Sequence, residues 1–421
     1  MKSSLVGIAL VALSAASAFA EVTANVTQVK QNWPWSRDVA VTFTLSGATE
    51  PMDIDVTLSS NGKSVQMPFG SVFGEATSLT NGTYTLKIDP TKTEFARERL
   101  LTDAQVSLTP VTERLYMVVD LTAGLDNLTP ASVSFRNTVD GTGTQWSDTY
   151  KSDKLVLKRV KATSFTMGNT VARSGYGHEY PQRQVVLTRD YYLGVYELTL
   201  AQYKKLGGGW PLKSSDSYFK ADEPFRPAHC LRYNTLRGYT YTSIPPTPGS
   251  KLDTFGKKTG YGFDYPTEAQ WENAAHAGVP GERYDGTVGT FSDAEWNAGI
   301  DSTGYLNTIA RNLNNAVTTT DRTVTADEGG LARVGTYAPN AWGFYDMIGN
   351  VGEWVRDSYN GGSYGDTPAV DPYDHGENKN KIVRGGSFDG GINTCRVTYR
   401  RTVDPGQAYT YLGARLCVTV E

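Results

Sequence analysis

The stretch NAWGFYDMIGNVGEW, from Asn340 to Trp354, decides the fold of this chain. Four shorter motifs accompany it in a fixed order, with Phe165–Gly168 and Tyr265–Glu272 before it, and Val383–Phe388 and Gly413–Leu416 after it. No repeat or simple periodicity generates these strings. Their order along the chain is therefore specific information about the fold.

Composition sets broad limits on the class of protein. The chain has 421 residues, which is enough for two or three domains. Charged residues make up 20% and hydrophobic residues 39%, as in ordinary globular proteins. The 43 glycines and 25 tyrosines favour loop-rich or β-rich structure. The formal net charge of -4 supplies no basic field of the kind that nucleic-acid binding needs, so no nucleic-acid partner is expected.

Residues 1–20 have the pattern of a secretory signal peptide. Lys2 supplies a positive charge, and the apolar run Leu5–Ala16 is shorter than the roughly 20 residues that span a bilayer. Ala18-Phe19-Ala20 is an A-x-A cleavage motif. We therefore expect a mature chain that begins near Glu21, has no transmembrane span, and is secreted, periplasmic or on the cell surface. An N-terminal membrane anchor is the alternative.

Residues 21–112 predict a small all-β sandwich of immunoglobulin or fibronectin type. Several segments alternate apolar and polar residues in period two, and Asn-Gly turns separate them. The clearest segments are Val39–Leu45, Ile54–Leu58 and Tyr84–Ile88, with turns at Asn61-Gly62 and Asn81-Gly82. Short strands at this spacing are typical of such sandwiches. We find no chemistry in this part and expect a spacer or adhesive module, because a fold alone implies no function.

We place the second domain at residues 113–421. Leu115–Leu121 and Lys154–Val160 predict strands. Two helices are predicted, one over Thr199–Leu206 and one over Thr267–Ala277, each with a threonine at its N-cap. The remaining chain is irregular and rich in Gly, Asn, Asp and Tyr. Such a long irregular chain is unusual in a compact domain, and bound ions are one common way of holding it.

The ordered motifs resemble the formylglycine-generating enzyme (sulfatase-modifying factor) family over about residues 150–421. The resemblance implies an α+β, C-type-lectin-like fold behind the β-sandwich, and it implies calcium. Residue-by-residue matching puts the calcium ligands on Asp346, the carbonyls of Gly349 and Val351, and Glu353. Hard oxygen donors of this mixed kind suit calcium. The alternative is that the two carboxylates are buried and satisfied by backbone N–H groups or arginines.

The family's oxidase chemistry uses two cysteines that bind copper(I), a metal suited to soft thiolates. Matching places them at Gly390 and Cys395, so this chain retains only the second. Ser387 matches the family's serine, but Gly391 stands where the family has a histidine and Gly352 where it has a tryptophan. The catalytic site is therefore degenerate. We expect no copper and no copper-dependent oxidation.

The chain has three cysteines, Cys230, Cys395 and Cys417. Export would permit a disulfide, and an odd count leaves one thiol over. Because the family resemblance brings the strands of Cys395 and Cys417 close together, it implies a Cys395–Cys417 disulfide. Two buried thiols, or a pairing with Cys230, are the alternatives.

The segment Asp389–Tyr411 combines tyrosines and arginines with small polar residues, which suits an adaptable interface. It resembles the C-terminal variable regions of retroelement-diversified proteins that share this fold. The candidate ligand-binding residues are Phe388, Asp389, Arg400, Arg401, Tyr409 and Tyr411. We predict a calcium-stabilised surface recognition protein with an unknown protein or glycan ligand. A merely structural surface protein and a protein-modifying oxidoreductase related to the formylglycine-generating oxidase are the alternatives.

Overall fold

The computed structural model divides the chain into two compact units, residues 1–113 and 114–421. It describes residues 21–68, 71–139, 146–172, 177–209, 223–238, 245–279, 281–282, 292, 294–295, 304, 306–316, 330–359, 367–375, 380–391 and 393–420. The predicted signal peptide lies outside these residues. Within the described part, no helix is long and apolar enough to cross a membrane.

The first unit is a sandwich of two antiparallel sheets. Its strands are β1 (Thr23–Gln31), β2 (Val39–Ser46), β3 (Met52–Ser60), β4 (Lys63–Gln66), β5 (Val72–Gly74), β6 (Gly82–Ile88) and β7 (Gln105–Thr112). One sheet has the order β1-β2-β6-β5 and the other β4-β3-β7. Alternate residues of β2 point into the core, as period two requires, and Val41 and Phe43 are fully buried. The all-β sandwich predicted from the sequence is confirmed.

The turn between β3 and β4 shows how local sequence sets the register of a hairpin. Asn61 has φ 50° and Gly62 has φ 73°. Two central residues with positive φ are what a two-residue hairpin turn needs, and Asn-Gly accepts that conformation at low cost. Ser60 consequently pairs with Lys63 directly across the turn.

The described residues of the second unit form three sheets. Its strands are β8 (Tyr116–Asp120), β9 (Val133–Arg136), β10 (Lys154–Val160), β11 (Thr163–Met167), β12 (Arg183–Leu187), β13 (Tyr191–Gly194), β14 (Phe263–Asp264), β15 (Gly352–Ser358), β16 (Ala369–Val370), β17 (Lys381–Arg384), β18 (Arg400–Val403), β19 (Leu412–Gly413) and β20 (Cys417–Thr419). The sheet orders are β14-β20-β13-β10-β8-β9, β11-β12-β16 and β18-β17-β15-β19. The last sheet includes the end of the stretch Asn340–Trp354, which we call the signature stretch, and parts of the C-terminal motifs, so it positions much of the candidate site.

The helices of the second unit are short. They are α1 (Leu200–Lys205), α2 (Asn234–Arg237), α3 (Lys251–Thr259), α4 (Glu268–His276) and two single turns, Leu306–Ile309 and Leu313–Ala316. Both predicted helices form with the predicted caps, since Thr199 and Thr267 each complete a capping box with the glutamine three residues later. The α3 helix was missed, although Ser250 caps its start and Gly260 ends it with φ 82°.

Buried arginines hold the irregular chain of the second unit together. Arg237, Arg384, Arg396 and Arg415 are among the largest fully buried side chains of the described residues. Each forms an ion pair with a buried carboxylate on a sequence-distant segment. An arginine can satisfy several carbonyls and a carboxylate at once because its five donors form a rigid fork. Two of these pairs join a strand to a helix, and the other two hold irregular segments that carry Arg396 and Arg415.

Candidate functional site

Glu353 of the signature stretch lies in a complete set of hydrogen bonds. Its carboxylate accepts from Nη2 of Arg415 at 2.8 Å, from Nε of Arg415 at 3.1 Å, and from the indole Nε1 of Trp271 at 2.7 Å. Arg415 uses its other hydrogens on the carbonyls of Gly194 and Tyr345, at 2.8 and 2.7 Å. Glu353 therefore joins the signature stretch to the C-terminal motif and to α4.

Asp346 of the same stretch is less completely satisfied. It is buried, and its Oδ2 accepts from the backbone N–H of Gly335 at 2.7 Å. Its Oδ1 is buried and has no hydrogen-bond partner among the described residues. Burial raises the pKa of Asp346 to about 6. Burial, together with the charges of Asp346 and Glu353, also raises the pKa of the neighbouring Glu197.

The predicted calcium ligands fit an ion unevenly. The unpaired oxygen of Asp346 fits, because calcium takes carboxylate oxygens and a buried oxygen without a partner is costly. Glu353 fits less well, since both of its oxygens already accept from Arg415. Among the described residues, no three His, Cys, Asp or Glu side chains converge as a metal site. A calcium ion here would therefore depend on Asp346 and on backbone carbonyls such as those of Gly349 and Val351.

Cys395 lies in an environment that suppresses thiolate chemistry. It is buried in the core, and its Sγ lies 3.5 Å from the carbonyl oxygens of Ser387 and of Gly390. Burial raises the pKa of Cys395 to about 12. A thiol with so high a pKa carries almost no thiolate at neutral pH, and the thiolate is the form that attacks substrates and binds metals.

Two glycines stand where larger family residues would clash with the structure. A Cβ atom on Gly390 would lie 2.3 Å from Oγ1 of Thr394, so Thr394 occupies the space of the missing cysteine. A Cβ atom on Gly352 would lie 2.7 Å from Cγ1 of Val383. The space that the family's cysteine and tryptophan would need is thus already filled, and the residues present do not fit a two-cysteine copper site.

The predicted Cys395–Cys417 disulfide is not formed, and this prediction is corrected. All three cysteines are buried free thiols. The two sulfurs have different surroundings, since Cys417 Sγ lies 3.7 Å from Oε1 of Gln270, whereas Cys395 Sγ faces backbone carbonyls of its own loop. The alternative of buried thiols describes the structure.

The prediction that Arg400 binds a ligand is also corrected. It is buried and forms a two-pronged ion pair with Glu268 at 2.7 and 2.9 Å, and it donates to the carbonyl of His178 at 2.9 Å. Its neighbour Arg401 is exposed because adjacent residues of a strand face opposite sides. Phe388 is half-buried and packs against the hydrophobic core, so much of its side chain is not available to a ligand.

The remaining candidates form an ordered surface, which we call the tyrosine–arginine stack and define as Asp389, Arg401, Tyr409 and Tyr411. The rings of Tyr409 and Tyr411 are stacked, with centroids 5.2 Å apart and an angle of 9°. The guanidinium of Arg401 lies 4.4 Å from the centroid of the Tyr411 ring. Tyr409 is 44% exposed and Tyr411 is buried behind it. Asp389 is exposed and accepts from the hydroxyl of Ser387 at 2.6 Å.

The hydroxyl of Tyr411 is the unusual atom of this stack. It is buried and has no hydrogen-bond partner among the described residues. Burial raises the pKa of Tyr411 to about 12, so the hydroxyl keeps its proton at neutral pH and can donate. Composition alone pointed to this segment, but it could not separate Arg401 from Arg400.

The structure also contains a cavity of about 660 Å³ that was not predicted from the sequence. It lies beside α3 and the ends of β14 and β20, and its lining includes Leu252, Phe263, Asp264, Arg356 and Cys417. Asp264 is already paired with Arg237 at 2.5 Å and with Arg356 at 3.3 Å. Asp264 therefore has both of its arginine partners within the protein, and Asp253, which also lines the cavity, pairs with Lys257.

Residues 143–420 match the family described as the sulfatase-modifying factor enzyme 1-like domain. The chain belongs to this family. Its second unit has the α+β, C-type-lectin-like fold of formylglycine-generating enzymes, and a β-sandwich precedes it. The signature stretch, the Gly-Gly-Ser motif and the C-terminal Arg415 all lie within the matched region.

Known relatives include both catalysts and other proteins. The formylglycine-generating enzyme of Streptomyces coelicolor is 32% identical over 155 residues, which is 36% of this chain and 45% of that enzyme. "Chaperone protein LppX" of Paenibacillus barcinonensis is 27% identical over 312 residues, which is 68% of this chain and 92% of that protein. The match therefore spans less than half of the Streptomyces enzyme but nearly all of the chaperone.

Solved structures with a similar chain path include "Treponema denticola variable protein 1" and PvdO of Pseudomonas aeruginosa. The first has a TM-score of 0.47 at 21% identity, covering 63% of this chain and 95% of that one. The second has a TM-score of 0.46 at 22% identity, covering 62% of this chain and 94% of that one.

Proposed function

We propose that this chain is an exported surface recognition protein that binds a protein or glycan ligand through its tyrosine–arginine stack. The observation that carries the proposal is the ordered stacking of Arg401, Tyr411 and Tyr409 at the surface, with the Tyr411 hydroxyl buried behind it and unpaired. Tyrosine and arginine are the side chains that most often dominate binding energy at protein interfaces.

The stack is already ordered before a ligand binds. Cation–π contact and ring stacking hold the side chains of Arg401 and Tyr409, which lowers the conformational entropy lost on binding. Among the described residues, the guanidinium of Arg401 pairs with no carboxylate, so its donors are available for an acidic or carbonyl group. Exposed Asp389 adds an acceptor beside it.

The surroundings of Cys395 support a role without oxidase chemistry. Its sulfur is buried and protonated, and Thr394 fills the place of the partner cysteine. The extensive match to a protein whose name describes a chaperone is compatible with binding in place of catalysis. The export motif at residues 1–20 supports placement outside the cytoplasm.

Calcium is the second part of the proposal. The unpaired Oδ1 of Asp346 supports a cation beside the signature stretch. The charges of Asp346 and Glu353 raise the pKa of Glu197, although Arg415 acts on all three carboxylates and Lys151 acts on Asp346. An added positive charge would reduce the repulsion that remains. The ion would stiffen the stretch from Asp346 to Glu353 and take no part in chemistry.

The test uses the mature chain against an immobilised glycan array and a displayed peptide library. Ligands retained by the wild type should be lost by Arg401→Ala and by Tyr409→Ala, at least about tenfold in affinity for a residue that dominates an interface. Tyr180→Ala is a matched control, because Tyr180 is 42% exposed and lies outside the stack. Equal binding by all four proteins, or no ligand on either panel, would contradict the proposal.

A further inference from the structure

The first unit carries a second exposed apolar surface, which we call the tryptophan tip and define as Trp33, Trp35 and Leu100. Trp35 is 90% exposed, Leu100 is 48% exposed and Trp33 is 38% exposed. Tryptophan is rarely left so exposed, because a buried indole removes a large apolar area from water. The two segments that carry these side chains lie next to each other, since the Gln31 side chain donates to the carbonyl of Arg99 and accepts from the N–H of Leu101.

The loop that presents the two tryptophans is firmly built. The N–H of Asn32 donates to the carbonyl of Asp38 at 2.9 Å, and that of Ser36 donates to Asn32 at 3.0 Å. The guanidinium of Arg37 donates to the carbonyls of Phe95 and Ala96 at 3.1 and 2.8 Å. The loop is thus bonded to the segment that carries Leu100. Its conformation leaves the Trp35 side chain almost fully exposed and the Trp33 side chain partly exposed.

The charge around the tip differs in sign from the charge of the whole chain. Lys30, Arg97 and Arg99 are exposed near the loop, and none of the three pairs with a carboxylate among the described residues. Glu98 lies between Arg97 and Arg99, but it is half-buried and pairs with Lys63 at 3.3 Å. Asp38 is half-buried as well, and Glu94 is exposed. Among the described side chains of these two segments, the exposed charges are three cations, Lys30, Arg97 and Arg99, against one anion, Glu94, whereas the whole chain has a net charge of -4. The surroundings of the tip are therefore locally basic.

We propose that the tryptophan tip docks on an anionic lipid surface, with Trp33, Trp35 and Leu100 in the interfacial layer and Lys30, Arg97 and Arg99 on the lipid headgroups. Indole rings favour the membrane interface because they join an apolar body to a polar N–H. Basic residues beside them are drawn to anionic lipids. This contact is independent of the tyrosine–arginine stack.

Vesicle flotation of the mature full-length chain tests the proposal. The wild type should float with vesicles of equimolar phosphatidylcholine and phosphatidylglycerol, and high salt should weaken this binding. Trp33→Ser/Trp35→Ser should lower the partition coefficient at least about tenfold, because two aromatic side chains then leave the interface. Arg97→Gln/Arg99→Gln should lower it about fivefold for each charge removed.

Two exposed apolar residues of the second unit supply matched controls. Leu313→Ser and Val370→Ser alter side chains that are 49% and 65% exposed, and both variants should float like the wild type. All variants should keep the wild-type melting temperature because the changed side chains are exposed. Absence of wild-type flotation, or undiminished flotation of the double tryptophan variant, would overturn the proposal. A lipid-free dimer that the tryptophan substitutions dissociate would instead assign the tip to a second copy of this chain.

Discussion

A Cβ atom on Gly390 would lie 2.3 Å from Oγ1 of Thr394, so Thr394 fills the space beside the position that the family resemblance matches to the first copper-binding cysteine. The Thr394 hydroxyl donates to the carbonyl of Gly391 at 3.2 Å, which holds it over Gly390. Loss of the cysteine and filling of its space are therefore linked. One substitution would not reverse both.

The first prediction concerns this pair. Gly390→Cys alone should lower the free energy of unfolding by about 1–3 kcal/mol, as overpacking does, and should leave copper(I) binding weak. Gly390→Cys/Thr394→Ala should recover stability and bind copper(I) more tightly, because the new thiol then has room beside Cys395. Urea denaturation and copper(I) competition with a chromophoric chelator measure the two effects. Thr394→Ala alone is the control, and equal copper affinity of the single and double cysteine variants would refute the role of Thr394.

The second prediction concerns the pair of Glu353 and Arg415. Replacing Arg415 by Met should cost about 3–5 kcal/mol, because the Glu353 carboxylate would stay buried without its partner. Arg415→Lys should recover little of this, since an ammonium cannot reproduce the fork that also reaches two carbonyls. Urea unfolding measures both. Lys257→Ala, which removes an exposed ion pair with Asp253, should change stability far less, and a similar loss in that control would contradict the argument.

The third prediction concerns calcium. If the ion binds beside Asp346, a hundredfold excess over Kd stabilises the protein by about 2.7 kcal/mol, and EDTA should lower the melting temperature. Asp346→Asn should remove most of this sensitivity while leaving the Glu353–Arg415 pair intact. Asp346 is therefore a sharper probe than Glu353, whose loss would destabilise the protein with or without calcium. As a control, Asp389→Asn alters an exposed carboxylate and should have the wild-type melting temperature with and without EDTA. A wild-type melting temperature that changes with neither EDTA nor added calcium would count against the ion.

The fourth prediction concerns pH. Burial, together with the charge of Glu268, raises the pKa of Asp357 from 3.8 to about 6. Because its pKa is higher in the folded protein, the protonated form of this carboxyl is stabilised by folding. Its contribution to stability is complete below pH 3.8 and is lost as the pH rises through 6. Asp357→Asn should therefore lose less stability than the wild type between these limits, by at most about 3 kcal/mol. The free energy of unfolding of both proteins is measured as a function of pH. The same pH dependence in both would show that Asp357 is not the titrating group.

The fifth prediction concerns the thiols. Native protein recovered from an oxidising compartment should react slowly with a thiol reagent, because all three cysteines are buried and burial raises the pKa of Cys395 to about 12. After denaturation it should show three free thiols. Peptide mapping that links Cys395 to Cys417 would reverse this conclusion and restore the disulfide.

Much of the architecture could be predicted because its signals are local. Period two in Val39–Leu45 follows from the geometry of a strand, and the threonines at 199 and 267 cap the helices that they precede. The α3 helix was missed because its neighbourhood is rich in Gly, Pro and Lys, and its apolar face is narrow. Leu252 and Phe255 are fully buried there, but a pattern of so few residues is a weak signal.

The candidate site likewise has features that local sequence predicts and features that depend on distant contacts. The family could be determined from the sequence by itself, as could the absence of a cysteine at position 390 and the abundance of tyrosine and arginine in Asp389–Tyr411, because motif order and residue identity are properties of the chain. Only the tertiary structure decided that Glu353 pairs with Arg415 and that Arg400 is buried while Arg401 stacks on Tyr411. Those outcomes depend on which distant side chain arrives with the right charge and shape, and burial makes each such pairing strong enough to override what either residue could do alone.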